Sequence, residues 1–369
     1  MGKVLGLFLT GLLTGAAQAA ESKPRAAVDV VFVIDTTSSM GGLLEAAKTK
    51  VWAIANEIAK GKPTPEIRMG LVAFRDRGDA YLTQVTDLTK DLDKMYGRLL
   101  ALRPEGGGDG PEHVLQGLAD ASEKISWSKD PKTFKVLYLV GDAPAHEDYN
   151  DTKPLAGLVQ DLVKKGVVLN TIQCGSGGST QEQWSRIASL GEGRYAAISH
   201  DGGVAASDTP FDARLSELSG RLDGTALAFG ERRREAEESA SAVRGMLAFA
   251  APAAKADRAA FRMSAGAGGK GAFPAESDLL AAVEDKRVDL GKVKDEELPP
   301  ALRGKDAEGR RKALDKVRAE RETLKKEIAQ VAKEREAWRA KNAGTKKDAF
   351  DAKLVEALKA QAGRKGIAY

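Results

Sequence analysis

From Ala27 to about Gly224, short apolar runs alternate with amphipathic segments. Val28 to Ile34 is an almost unbroken apolar run interrupted only by Asp29, which predicts a strand buried on both faces. Leu44, Ala47, Val51, Ile54, Ala55 and Ile58 follow at helical spacing and predict a helix over Leu43 to Lys60. Further strands are predicted at Ile67 to Phe74, Tyr81 to Val85, Lys135 to Val140, Val167 to Gln173 and Tyr195 to Ile198. Helices are predicted at Leu88 to Leu102, Glu112 to Ile125, Pro154 to Lys165 and Thr180 to Leu190. Strands and helices that alternate in this way predict an α/β fold: a doubly wound, mostly parallel sheet with helices on both faces. Ligands of such sheets bind beyond the carboxyl ends of the strands, so chemistry is sought in the loops that follow them.

After Gly224 the pattern changes. Residues 225–305 read as linker and short helices. The Ala- and Gly-rich stretch from Ala250 to Gly271 has few large apolar residues and predicts a tether or weakly ordered segment. Residues 306–369 read as a charged helical tail with Leu314, Val317, Leu324, Ile328, Val331 and Trp338 at 3,4 spacing. Arg321 and Arg335 interrupt that seam at the same heptad phase, which makes it a mediocre coiled coil. A hairpin folded back on neighbouring tail helices fits equally well, and a solvated charged helix is a third arrangement. Self-association through this helix is expected to be weak.

Charge and composition narrow the setting. The net charge of +4 is uneven: residues 226–369 hold 32 Lys and Arg against 24 Asp and Glu, so the remainder is net acidic. The basic residues of the tail are interleaved with acidic ones and lack aromatic platforms, which argues against a nucleic-acid partner. Residues 1–19 combine Lys3, an apolar run from Val4 to Leu13, and small residues at Ala17 and Ala19. That pattern predicts a secretory signal peptide cleaved after Ala19, and hence a periplasmic or secreted product. No Cys follows to accept a lipid, and no second apolar stretch is long enough to span a bilayer. The single Cys, Cys174, lies in an apolar run and reads as a buried, inert thiol.

Candidate chemistry gathers at three loops. Asp35, Thr37 and Ser39 form a D-x-T-x-S arrangement directly after the first strand, where one carboxylate and two hydroxyls can converge on a hard cation. Residues of these types also crowd turns and helix caps for structural reasons alone. A glycine-rich loop, Gly106 to Gly108, then places Asp109 ahead of a helix, and Asp142 stands at the end of a buried strand. The three loops together resemble the von Willebrand factor A family, in which a metal-ion-dependent adhesion site (MIDAS) joins a D-x-[ST]-x-S loop, a second loop bearing Thr, and a third bearing Asp. The resemblance covers roughly residues 27–224. It implies Asp35, Thr37, Ser39, Asp109 and Asp142 as ligands of Mg²⁺ or Mn²⁺, and an exported module that binds a protein partner in the manner of an adhesion or scaffold domain. Asp109 departs from the family's Thr; a third carboxylate would leave the site net negative and less attractive to an acidic partner. The other reading of Asp109 is a helix cap beside Pro111.

Two other functions compete. A metal-assisted hydrolase could use His146 or Glu112 as base, although His146 reads as a surface residue near the site. No H-E-x-x-H, G-x-S-x-G, Walker A or C-x-x-C signature occurs, so no catalytic residue is assigned. The other is a structural envelope protein in which the metal only stiffens loops.

Overall fold

The computed structural model describes residues 26–198, 209–248, 250, 252–264, 276–342 and 349–369. The expected signal peptide at 1–19 lies outside the described residues. Six strands form one sheet: β1 (Ala27–Asp35), β2 (Glu66–Phe74), β3 (Thr83–Thr89), β4 (Phe134–Gly141), β5 (Val167–Cys174) and β6 (Glu192–Ile198). Their order is β3-β2-β1-β4-β5-β6, parallel except for β3 at one edge. The mostly parallel sheet agrees with the alternation of elements in the chain.

β1 is central and buried on both faces, which is why its run is nearly all apolar. Val30, Phe32 and Ile34 point into the core beneath α1 (Leu44–Ala59), with Leu44, Val51 and Trp52. Val31 and Val33 point the other way, towards Leu118 of α3 (Val114–Glu123), Leu158 of α4 (Leu155–Lys164) and Ile187 of α5 (Gly178–Leu190). Asp29, the polar exception in β1, is buried and paired with the Arg68 guanidinium at 2.7–2.8 Å. One boundary moved. The helix expected from Leu88 is α2 (Leu92–Ala101), because the Asp91 carboxylate accepts the Lys94 N–H at 3.0 Å and caps the helix there, while β3 runs on to Thr89 opposite Met69.

The C-terminal half is helical: α6 (Asp212–Gly224), α7 (Arg233–Ala248), α8 (Pro252–Ser264), α9 (Leu279–Glu284), α10 (Ala307–Asn342) and α11 (Ala349–Gly363). Two expectations need correction. The Ala-rich stretch read as a tether contains α8, whose Ala253, Ala256 and Ala259 are buried. Small side chains there let helices approach closely, while Phe261 packs edge-on to Trp52 of α1 at 5.5 Å. Residues 265–275 lie outside the described residues. The second correction concerns α10, whose Arg321 and Arg335 do not break its apolar seam. Both are buried: Arg321 forks onto Asp278 at 2.7 Å, and Arg335 bonds Asp212 at 2.6 Å and also Asp257. The helix therefore folds back on α6 and α8, the hairpin-like of the three arrangements.

The tail also reaches the sheet. Leu358 and Ala362 of α11, with Ile367 after it, belong to the core cluster under α1, and Gln361 exchanges side-chain amide hydrogen bonds with Asn170 of β5 at 2.9 and 3.2 Å. No helix of the described residues is long and apolar enough to cross a membrane.

Candidate metal centre

β1 and β4 are adjacent parallel strands at which the strand order reverses, so the loops leaving their carboxyl ends diverge and open a crevice. Asp35 ends β1, and Gly141, before Asp142, ends β4. The crevice thus falls between two of the three loops selected from the sequence.

Asp35 is fully buried. Its Oδ1 accepts the Thr37 backbone N–H at 2.8 Å and the Thr37 hydroxyl at 2.6 Å, whereas Oδ2 is buried without a hydrogen-bond partner. Thr37 Oγ1 lies 3.1 Å from Ser39 Oγ, and the Ser39 hydroxyl donates to Asp142 Oδ1 at 2.9 Å. Asp35, Thr37, Ser39 and Asp142 are therefore linked by one continuous set of hydrogen bonds. Gly141 makes room for it, since a Cβ at that position would lie 2.8 Å from Asp35 Cβ and 3.1 Å from the orphan Oδ2.

The glycine loop is stitched alongside. Ser38 N–H donates to Gly106 O at 3.1 Å and Glu105 N–H to Thr36 O at 3.0 Å. Gly106 and Gly107 take φ of 80° and 78°, a region that favours glycine. Asp79 holds the turn by accepting the Gly107 N–H, and a Cβ on Gly106 would strike its carboxylate at 2.3 Å.

Asp109 and Glu112 take different places. The Asp109 side chain is 60% exposed and pairs with His146 Nε2 at 3.3 Å. His146, expected at the surface, is instead buried: it stacks on Tyr149 at 4.0 Å, and its Nδ1 lies 2.7 Å from Asp148. Asp76, whose carboxylate accepts the Tyr149 hydroxyl at 2.8 Å, completes a group in which single ligand atoms of Asp76, Asp109 and His146 lie within 4.8 Å of one another, a spacing that could hold a metal ion. Glu112, considered from sequence only as a base, turns inward beside Thr37 and is almost wholly buried, with Oε2 lacking a hydrogen-bond partner. No sequence signal separates it from Asp109 three residues earlier, because both precede the same helix.

Electrostatics follow from this burial. Desolvation pushes the Asp35 carboxyl up to about 7; its hydrogen bonds with Thr37 oppose the rise, and the charges of Asp142 and Asp76 add to it. Desolvation likewise pushes Glu112 up to about 8, with the charge of Asp35 adding to it and Thr37 opposing. Two neighbouring carboxyls, each with an orphaned buried oxygen, suit a bound cation, and a donor set of carboxylate and hydroxyl oxygens suits a hard one. Cys174, at the end of β5, is buried as expected, and burial pushes its thiol up, away from the reactive thiolate.

Parts of this chain are similar to known proteins. A 26% identical stretch of 120 residues, 32% of this chain, is shared with alpha-protein kinase vwkA of Dictyostelium discoideum, of which it covers 19%. A 36% identical stretch of 87 residues, 24% of this chain, is shared with von Willebrand factor A domain-containing protein 7 of Rattus norvegicus, of which it covers 9%. The chain thus spans less than a fifth of either relative. Among solved structures, proximal thread matrix protein 1 from the mussel byssus, with a zinc-occupied MIDAS motif, matches with 22% identity and a TM-score of 0.39 over 48% of this chain and 43% of that one. The SpRpn10 VWA domain matches with 20% identity and a TM-score of 0.37 over 47% of this chain and 88% of that one. Residues 29–208 match the family model described as von Willebrand factor A domain, and this match supports that family for the segment holding β1 to β6 and the candidate metal centre.

Proposed function

We propose that the protein is an exported, metal-dependent binding module that holds one Mg²⁺ or Mn²⁺ at the β1/β4 crevice and docks a protein partner there. Asp35, Thr37, Ser39 and Asp142 are the ligands nearest the strand ends, and Asp109 stands on the rim with His146. The observation that carries this reading is the hydrogen-bonded set from Asp35 to Asp142, together with the two buried oxygens that lack partners beside it. A divalent ion bound there would supply an electrophilic position for an oxygen of the partner. The chain's own part is to hold the carboxylates in place, present the hydroxyls of Thr37 and Ser39, and keep Asp35 away from water.

The reading is tested by capture from periplasmic and secreted fractions on immobilised protein, with Mg²⁺ or with chelator, beside Asp142→Ala. Capture that needs both the metal and Asp142 supports the docking role. Capture indifferent to chelator points to an ion that only stiffens the loops. An enzymatic role with Glu112 or His146 as base requires turnover, so product release from ester or phosphoester substrates that is lost in Glu112→Gln would replace docking as the reading.

A further inference from the structure

We propose that Glu112 is the carboxylate that the second loop gives to the cation site, and that it makes the loaded site prefer a neutral oxygen of the partner over an acidic one. This rests on the metal-dependent reading above and assigns a residue and a partner chemistry to it.

The backbone makes the first part of the case. Glu112 N–H donates to Pro144 O at 2.9 Å and Glu112 O accepts the His146 N–H at 3.0 Å, a parallel bridge centred on Ala145. Glu112 is thereby hydrogen-bonded to the segment that follows Asp142, which ties the second loop to the third. Capping α3 falls to His113, whose Nδ1 accepts the Gln116 N–H at 3.3 Å, so the Glu112 carboxylate is not spent on the helix. Gly107 leaves space for it: a Cβ there would sit 3.1 Å from Glu112 Oε1 and 3.3 Å from Thr37 Cβ. The carboxylate therefore lies against the hydroxyl-bearing residue of the first loop.

Charge makes the second part. Asp35 Oδ2 and Glu112 Oε2 are both buried and without hydrogen-bond partners, and the two carboxyls feel each other's charge. A cation between the loops resolves both the repulsion and the missing partners. Asp109 has no such need, being largely exposed and already paired with His146. With Asp35, Asp142 and Glu112 charged beside a divalent ion, three negative charges against two positive would leave the site a net charge of about −1. An acidic group from a partner is then repelled, and Asp76 and Asp79, whose charges also reach Glu112, add to the repulsion. A neutral carbonyl or hydroxyl oxygen of the partner meets no such penalty.

The test uses the full chain and titrates MgCl₂ or MnCl₂ calorimetrically into wild type, Glu112→Gln, Asp109→Asn and Asp142→Ala. Glu112→Gln keeps shape and removes charge, and is expected to bind the ion roughly 10- to 100-fold more weakly than wild type, a larger loss than Asp109→Asn shows. At saturating Mn²⁺, acetate serves as the carboxylate probe, read by water-proton relaxation, and is expected to bind Glu112→Gln more tightly than wild type. Melting in chelator checks folding, and Glu112→Gln should melt no lower than wild type because it removes the charge of a buried carboxyl whose Oε2 has no partner. Should it fail to fold, Glu112→Asp keeps the charge on a shorter arm and must still bind the ion more weakly than wild type; equal binding overturns the assignment. Glu112→Gln binding the ion as wild type does, while Asp142→Ala does not, sinks the inference and leaves the metal-dependent reading standing. Asp142→Ala binding as wild type sinks both. Acetate binding alike to Glu112→Gln and wild type sinks the preference against acidic partners.

Discussion

The Ser39 hydroxyl donates to the Asp142 carboxylate at 2.9 Å, joining loops 103 positions apart in the chain. Ser39 follows β1 and Asp142 follows β4, and the two strands pair from Val28 opposite Phe134 to Ile34 opposite Val140. That register brings the strand ends level, so a short side chain on one loop reaches a carboxylate on the other. The bond joins the two loops across the strand ends.

Asp142→Ala is therefore expected to weaken Mg²⁺ or Mn²⁺ binding by roughly a hundredfold or more. In wild type, metal at about 100 times its dissociation constant should stabilise the fold by about 2.7 kcal/mol, and chelator should remove that gain. Thermal melts with metal and with chelator check both. A variant that is stabilised by metal as fully as wild type would remove Asp142 from the ligand set.

The metal effect should grow with pH. Burial pushes Asp35 and Glu112 up to about 7 and about 8, above their ordinary values of 3.8 and 4.5. The folded state therefore holds more protons than the unfolded chain across that window. The stability these groups contribute is present below about pH 4 and is lost as pH rises towards about 8. A cation binds the deprotonated forms and cancels the loss, so the difference between melts with metal and with chelator should be larger near about pH 8.5 than near about pH 5.5. Equal differences at the two pH values would count against both carboxyls as ligands.

Gly141→Ala should damage the site without replacing a candidate ligand. Its Cβ would lie 2.8 Å from Asp35 Cβ, closer than such contacts allow, and Trp184 at 3.1 Å blocks retreat on the other side. The expected cost is about 1–3 kcal/mol of stability, together with weaker metal binding. Denaturant titration and calorimetry check the two effects, and wild-type behaviour in both would show that the strand ends can part.

Arg335→Met should be severe for a residue so far from the crevice. It leaves Asp212 and Asp257 buried without the guanidinium they share, and breaking such a pair costs about 3–5 kcal/mol. Deletion of residues 306–369 should be worse, since it strips Leu324 and Ile328 from one core cluster and Leu358, Ala362 and Ile367 from the cluster under α1. Guanidinium denaturation checks the point mutation, and limited proteolysis checks the deletion. A resistant, metal-binding fragment of residues 22–230 would restore the separable tail expected from composition.

Much of the fold was legible in the chain, because a strand buried on both faces must be apolar at nearly every position, as Val28 to Ile34 is. Asp35, Thr37 and Ser39 were legible as a candidate site for a related reason: they are close in sequence, and one turn brings them together. Asp142 could be picked out from its place at the end of such a strand. Local patterns could not choose between Asp109 and Glu112, since their fates depend on a bridge from Glu112 to Ala145, 33 positions away in a different loop. Nor could they show what Arg321 and Arg335 meet. A charged residue on an apolar seam reads as a fault until its partner is known, and Asp278 and Asp212 lie 43 and 123 positions away. Side-chain periodicity records which face of an element is covered, and only the packed tertiary structure decides what covers it. The Ala-rich α8, the amide pair of Asn170 with Gln361, and the inward turn of Glu112 all belong to that second kind of information.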